Sequence, residues 1–190
     1  MHLFQSLEFA NPKAVWGPDT STSADSWYSD KVQSVIQAIA IRKEELGPTF
    51  TILDMACGNG ILDAEFSAAF PEARIVGVDL EPYPEWKDRT SDRLTFEVGE
   101  MFTFLQTDTR DWDITLMLNI LRIKSPYPDQ LALAWAVITK WCNAHTKYLL
   151  FDYWPVNDNR ALSRGFAYHR SELGDLHLFE YKGRKYEERT

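Results

Sequence analysis

The sequence predicts one α/β domain: a three-layer sandwich whose mostly parallel, seven-stranded sheet is covered by helices and closes with a C-terminal antiparallel hairpin. Two observations carry that expectation. Short apolar runs alternate along the chain with segments of helical periodicity, which demands right-handed βαβ crossovers and a largely parallel sheet. The runs are apolar at consecutive positions rather than at every second one, as in strands covered on both faces.

The elements follow in order. Residues 1–30, rich in Ser, Asp, Pro and Trp, show no sustained period and read as an N-terminal arm or lid packing on a domain of residues 31–190. From Lys31 the positions Val32, Val35, Ile36, Ile39 and Leu46 follow helical spacing, with Asp30 placed to cap the start and Gly47-Pro48 to end it. Phe50 to Asp54 is a first strand, then a glycine-containing turn, then a helix from Ile61 to Phe70 with Leu62, Phe66 and Ala69 inward and Pro71 stopping it. Arg74–Asp79 and Leu94–Val98 are the second and third strands, separated by a polar stretch with Pro82 and Pro84. A short helix over 100–107, a strand over Asp113–Leu118, a helix over 129–143 with Leu131, Trp135, Ile138 and Cys142 on one side, and a strand over Tyr148–Phe151 come next. The tail breaks the rhythm. A polar, Arg-bearing segment runs from Asn157 to Arg170, a short helix is expected over Ser171–Asp175, and Leu176–Tyr181 and Lys185–Glu188 flank Gly183 as a hairpin.

Composition narrows the function classes. A chain of 190 residues with 45% hydrophobic and 25% charged residues belongs with ordinary globular proteins rather than fibrous or disordered ones. The net charge of -8 repels phosphate backbones, which disfavours bulk nucleic acid. Cys57 and Cys142, the two cysteines, show neither CxxC nor Cys/His spacing, so no metal site and no disulfide is expected, in keeping with a cytoplasmic location. No signal-peptide pattern and no apolar stretch of about 18 residues occurs, so no membrane partner is expected.

The informative segment is Ile52-Leu-Asp-Met-Ala-Cys-Gly-Asn-Gly-Ile-Leu62, where the first strand gives way to a helix. In an open α/β sheet ligands sit outside the carboxyl ends of the strands. Gly58 and Gly60 permit unusual backbone angles and close approach, and the following helix offers unpaired N–H groups. At the end of the second strand Asp79 is placed to accept both hydroxyls of a ribose. A dinucleotide fingerprint G-x-G-x-x-G begun at Gly58 needs glycine where Asp63 stands; begun at Ala56 it needs glycine where Ile61 stands. Asp54, before the loop, would repel a pyrophosphate and welcome an ammonium or sulfonium group.

LDMACGNG followed by VGVDLE resembles motifs I and II of the class I S-adenosylmethionine (SAM) dependent methyltransferases, a Rossmann-like superfamily, with Ala56 in place of the first glycine. The resemblance spans roughly residues 30–153. It implies a methyltransferase with SAM as cofactor and S-adenosylhomocysteine (SAH) as product. It places Asp54 near the methionine moiety, passes Ala56, Cys57, Gly58 and Gly60 under it, and sets Asp79 on the ribose with Leu80 beside the adenine. Glu100 and Met101 stand where the family contacts adenine, and Asn119, after the fourth strand, faces both cofactor and acceptor. For Cys57 the plain reading is a small buried side chain without chemistry. Glu100 reads equally as a helix-start charge, and Asn119 as a strand-end cap.

Methyl transfer requires the nucleophile to be held at attack distance with water excluded, and a base is optional. Among four histidines His169 is the candidate base, with a surface role as its alternative. Arg160, Arg164 and Arg170 read either as a clamp for an acidic acceptor or as a solvated face. The segment from Leu118 to Arg122 lacks the N/D-P-P-Y/F motif of amino-methylating enzymes, and no Pro-Cys nucleophile for cytosine is present. Trp16, Trp27 and Tyr28 loosely resemble a cofactor-covering arm. The expected function is therefore methylation of N or O on a small-molecule acceptor. Two alternatives stay open: methylation of protein or RNA in trans, and a non-catalytic SAM-binding or partner-activating protein. A homodimer or a partner subunit is compatible with either.

Overall fold

The computed structural model describes residues 25–118, 128–151, 166–170 and 177–181. Along the chain these form α1 (Asp25–Leu46), β1 (Phe50–Met55), α2 (Ile61–Ala69), β2 (Ala73–Asp79), α3 (Trp86–Arg89), β3 (Leu94–Val98), α4 (Met101–Thr107), β4 (Trp112–Met117), α5 (Pro128–His145), β5 (Thr146–Phe151), β6 (Phe166–Arg170) and β7 (His177–Tyr181). The strands hydrogen-bond in the order β3-β2-β1-β4-β5-β7-β6. β1 to β5 are parallel, as the alternating pattern demands, while β7 lies antiparallel to both β5 and β6. Strand order reverses at β1, between β2 and β4, which is where such sheets open a crevice at their carboxyl edge.

The strands are buried on both faces because side-chain direction alternates along each of them. Phe50 and Ile52 of β1 join Val32, Val35 and Ile39 of α1 and Leu62 and Phe66 of α2 in one core. Leu53 and Met55 turn the other way, onto Phe102 and Leu105 of α4 and Ile138, Trp141 and Cys142 of α5. Each such fully buried Leu, Ile or Phe contributes about 1.5–3 kcal/mol of apolar burial. Three of the buried polar groups are paired: Asp113 Oδ2 accepts from Thr51 N–H at 2.8 Å and from Thr51 Oγ1 at 3.0 Å, and the Thr115 and Thr146 hydroxyls bond each other.

Several elements depart from the sequence reading. α1 begins at Asp25, so Asp30 lies inside the helix and does not cap it. α2 turns Asp63 inward and leaves Ala69 exposed, with Phe70 buried just past its end. The stretch holding Pro82 and Pro84 contains the one-turn helix α3. The largest correction concerns β7, whose partner is β6, residues read as part of a polar segment. Phe166-Ala-Tyr-His alternates in the manner of a strand, but its arginines and glycine pull the compositional reading toward a loop. The expected helix at 171–175 and the expected strand at 185–188 lie outside the described residues, as does the arm over 1–24. Among the described residues no helix is long and apolar enough to cross a membrane.

Candidate functional site

The loop after β1 is built from backbone conformations that few side chains tolerate. Ala56 takes φ 61°, Gly58 φ 57° and Gly60 φ 77°, all left-handed. An alanine in that region carries strain of about 1 kcal/mol or more, held here by two bonds: the N–H groups of Ala56 and Cys57 both donate to Val78 O, at 2.7 and 3.1 Å. Gly60 N–H donates to Cys57 O at 3.1 Å, and its own carbonyl accepts from Ala64 N–H to start α2.

The two glycines do different work. A Cβ on Gly60 would stand 2.5 Å from the Phe96 ring, so this glycine is required by a neighbour inside the protein. The same ring presses on Gly77, where a Cβ would lie 2.7 Å from Phe96 and 2.8 Å from Cys57 Sγ. At Gly58 no atom lies within 4 Å of where a Cβ would be. The loop is thus packed from beneath by Phe96 and open at Gly58.

Asp79, the last residue of β2, spans the gap between loop and strand. Its Oδ2 accepts from Gly58 N–H at 2.8 Å and its Oδ1 from Leu80 N–H at 2.7 Å, and with Glu81 N–H also acting on it the carboxylate keeps acceptor capacity for about one further donor. Two residues of α3 tie the loop's carbonyls: Trp86 Nε1 donates to Gly58 O at 2.8 Å, and Arg89 Nη1 donates to Asn59 O. Trp86 in turn stacks on Phe96 with ring centroids 5.0 Å apart and planes at 9°.

Beneath the loop lies an accumulation of buried acid. Asp54 is 2% exposed and its Oδ2 has no hydrogen-bond partner; Asp63 is fully buried and neither of its oxygens has one. Burial, then the neighbouring charges of Asp63 and Asp79, pushes the Asp54 carboxyl well above the usual range. Burial raises Asp63 to about 7, against the opposing pull of its own backbone N–H and of Arg89. Asp79 is raised by burial and held back by the N–H groups of Gly58, Leu80 and Glu81. Burial first, and then the three carboxylates, pushes the Cys57 thiol far up, so that it stays protonated and has no nucleophilic character.

Other predicted residues fall around this centre. Leu80 is half-buried directly after Asp79. The Glu100 carboxylate caps α4, its Oε1 accepting from Phe102 N–H at 2.9 Å and its Oε2 from Thr103 N–H at 2.7 Å and Thr103 Oγ1 at 2.9 Å. Met101 opens that helix and packs on the α4/α5 core. Asn119, Arg160, Arg164, Trp16 and the Trp27 and Tyr28 side chains lie outside what is described. His169 and Arg170 are in β6. Strand registry places Asp54, Leu116, Leu150, Leu178 and His169 in one row across the sheet. His169 therefore stands level with the loop but four strands away, about 19 Å at the usual strand spacing, so the structure does not bring it to the glycine loop. Missed from the sequence were Asp63, Trp86, Arg89 and Phe96. Asp63 served there only to exclude a dinucleotide fingerprint, and the other three are distant in sequence from the loop they touch. Among the described residues no group of three or more His, Cys, Asp or Glu is arranged to hold a metal ion.

The chain shares its fold with solved methyltransferase structures. The chain is similar to magnesium protoporphyrin IX methyltransferase from Synechocystis PCC 6803, solved with bound SAM, at TM-score 0.58 and 17% identity over 93% of this chain and 91% of that one. It is similar to the methyltransferase domain of bacterial CtHen1-C at TM-score 0.54 and 13% identity, covering 81% of this chain and 98% of that one. It is also similar to the pyocyanin biosynthetic protein PhzM at TM-score 0.52 and 16% identity, covering 74% of this chain and 53% of that longer one. No family model matches the chain, and no curated protein matches it in sequence.

Proposed function

We propose that the protein binds SAM at the glycine loop and transfers its methyl group to a nitrogen or oxygen of a small-molecule acceptor. The observation that carries this reading is the open face at Gly58, set between a buried carboxylate oxygen without a partner, on Asp54, and a carboxylate with acceptor capacity to spare, on Asp79. The donor set suits the cofactor: Asp54 faces positive charge, Asp79 meets a ribose diol, and Leu80 offers apolar surface to adenine. The likeness to a SAM-bound solved structure supports it.

When bound, SAM supplies an electrophilic methyl carbon on a sulfonium. The chain's own residues position it. Trp86 and Arg89 hold the carbonyls of Gly58 and Asn59, so the loop meets its ligand already shaped. Asn119, two residues along the sequence from the end of β4, is our candidate for orienting the acceptor. A proton-accepting role for His169 requires an acceptor that reaches across β4, β5 and β7. The net charge of -8 favours a small acceptor over nucleic acid.

Isothermal titration with SAM and SAH tests the cofactor, and absence of binding by both ends the reading. Methyl-labelled SAM, incubated with the protein and either a metabolite extract or a macromolecule fraction, tests the acceptor. Label in the small-molecule fraction is expected; label in protein or RNA, or binding without transfer, replaces the small-molecule acceptor with one of the other two readings.

A further inference from the structure

The acids under the loop carry a consequence that rests on, and goes beyond, the SAM reading. Asp54 shares its side of β1 with Phe50 and Ile52 and so faces the α1/α2 layer, where Asp63 occupies the first turn of α2. The two lie within Coulombic reach of each other. Three of their oxygens, Asp54 Oδ2 and both of Asp63, are buried without a hydrogen-bond partner, Asp63's own backbone N–H acting on its carboxyl without closing a bond. The surrounding elements do not relieve them. β2 adds another carboxylate, Asp79, and the loop a protonated thiol, Cys57. On β3 Glu97 is paired with Arg110, and on α1 Lys43 is paired with Glu72. α3 brings Arg89, which acts on Asp63 only from a distance while donating to Asn59 O. Two buried anions that feel each other's charge and lack hydrogen-bond partners are disfavoured, because desolvation and mutual repulsion each favour a neutral form.

We propose that Asp54 and Asp63 hold a proton between them in the ligand-free protein, and that a cationic ligand settling over the glycine loop displaces that proton to solvent. The pair is then a charge reader. A ligand with positive charge beside Asp54 supplies the counter-charge the proton had supplied, and a neutral ligand of similar shape does not. SAM carries one more positive charge than SAH, so turnover removes charge from above the pair and lets the proton return. By linkage, affinity for SAM rises up to about tenfold per pH unit while the pair remains protonated, and levels off above that range.

The test is titration calorimetry of the intact protein at pH 7 in two buffers of different ionisation enthalpy, which counts protons released per ligand bound. The ligands are SAM, SAH and adenosine. Expected are about one proton for SAM, fewer for SAH and none for adenosine. Asp63→Asn is expected to shift the pH dependence of the SAM-linked release to lower pH, because Asp54 keeps its burial but loses its like-charged neighbour. Carboxyl carbon NMR of the unsubstituted protein gives the same answer without a variant: SAM moves one of the two aspartates to its ionised position. Binding of SAM with no proton release, equal release with adenosine, or an unchanged pH dependence of release in Asp63→Asn overturns the inference alone. No binding by any of the three ligands overturns the SAM reading with it.

Discussion

Gly58 and Gly60 are two positions apart in the same loop, yet the structure assigns them different consequences when each is replaced by alanine. At Gly60 two costs add: the left-handed backbone at φ 77°, worth about 1–2 kcal/mol for a residue with a Cβ, and the collision of that Cβ with Phe96 at 2.5 Å, worth about 1–3 kcal/mol of overpacking. Gly60→Ala should therefore lose roughly 2–5 kcal/mol, lowering Tm by about 5–15 °C in a chain of this size. Gly58→Ala meets only the backbone cost, because nothing lies within 4 Å of its Cβ; about 1–2 kcal/mol and a few degrees are expected. Its Cβ instead projects into the face assigned to the ligand, so SAH affinity should fall by about tenfold or more, out of proportion to the stability change. Urea unfolding of both variants, SAH titration, and the double variant Gly60→Ala with Phe96→Ala complete the assay. Removing the ring should return about 1–3 kcal/mol of the Gly60→Ala loss as a coupling energy. Additive losses in the double variant would refute the packing account, and undiminished SAH affinity in Gly58→Ala would refute the open face as the ligand's seat.

Asp63 should make stability fall with pH. Its folded pKa, about 7, lies above its unfolded value of about 4, so between those limits the folded state holds the extra proton and loses roughly 1 kcal/mol per pH unit as pH rises. Asp63→Asn should remove Asp63's share of that slope, leaving the part due to Asp54, and be the more stable protein at pH 8; a stability difference between the two proteins independent of pH between 4 and 8 would contradict this. Asp79→Asn turns an amino group toward either Gly58 N–H or Leu80 N–H, which now donate to opposite oxygens, and should cost about 1–3 kcal/mol and weaken SAH binding by about 10–100-fold. Unimpaired binding would detach Asp79 from the site. Trp86→Phe keeps an aromatic ring to stack on Phe96 but loses the bond to Gly58 O, worth about 1 kcal/mol. Amide exchange at 58–60 should speed up and SAH affinity should drop about fivefold, and unchanged values of both would show that the tie does not shape the loop.

What the sequence by itself determined is what depends on neighbours along the chain. Consecutive apolar residues at 52–53, 75–76 and 149–150 mark strands buried on both faces, and the acid, glycines and second acid mark the turn at the sheet's carboxyl edge. Local pattern suffices there because strand burial and turn conformation are set within a few residues. The tertiary structure alone decided which residues meet across long separations. Phe96 reaches under Gly60, Trp86 and Arg89 hold the loop's carbonyls, and β6 lies beside β7 with His169 four strands from Asp54. Asp63 shows the limit most sharply. An acid in the first turn of a helix ordinarily faces solvent and complements the dipole, and only the packing of α2 on β2 and β3 turns this one inward, where a carboxylate without donors changes the electrostatics of the whole site.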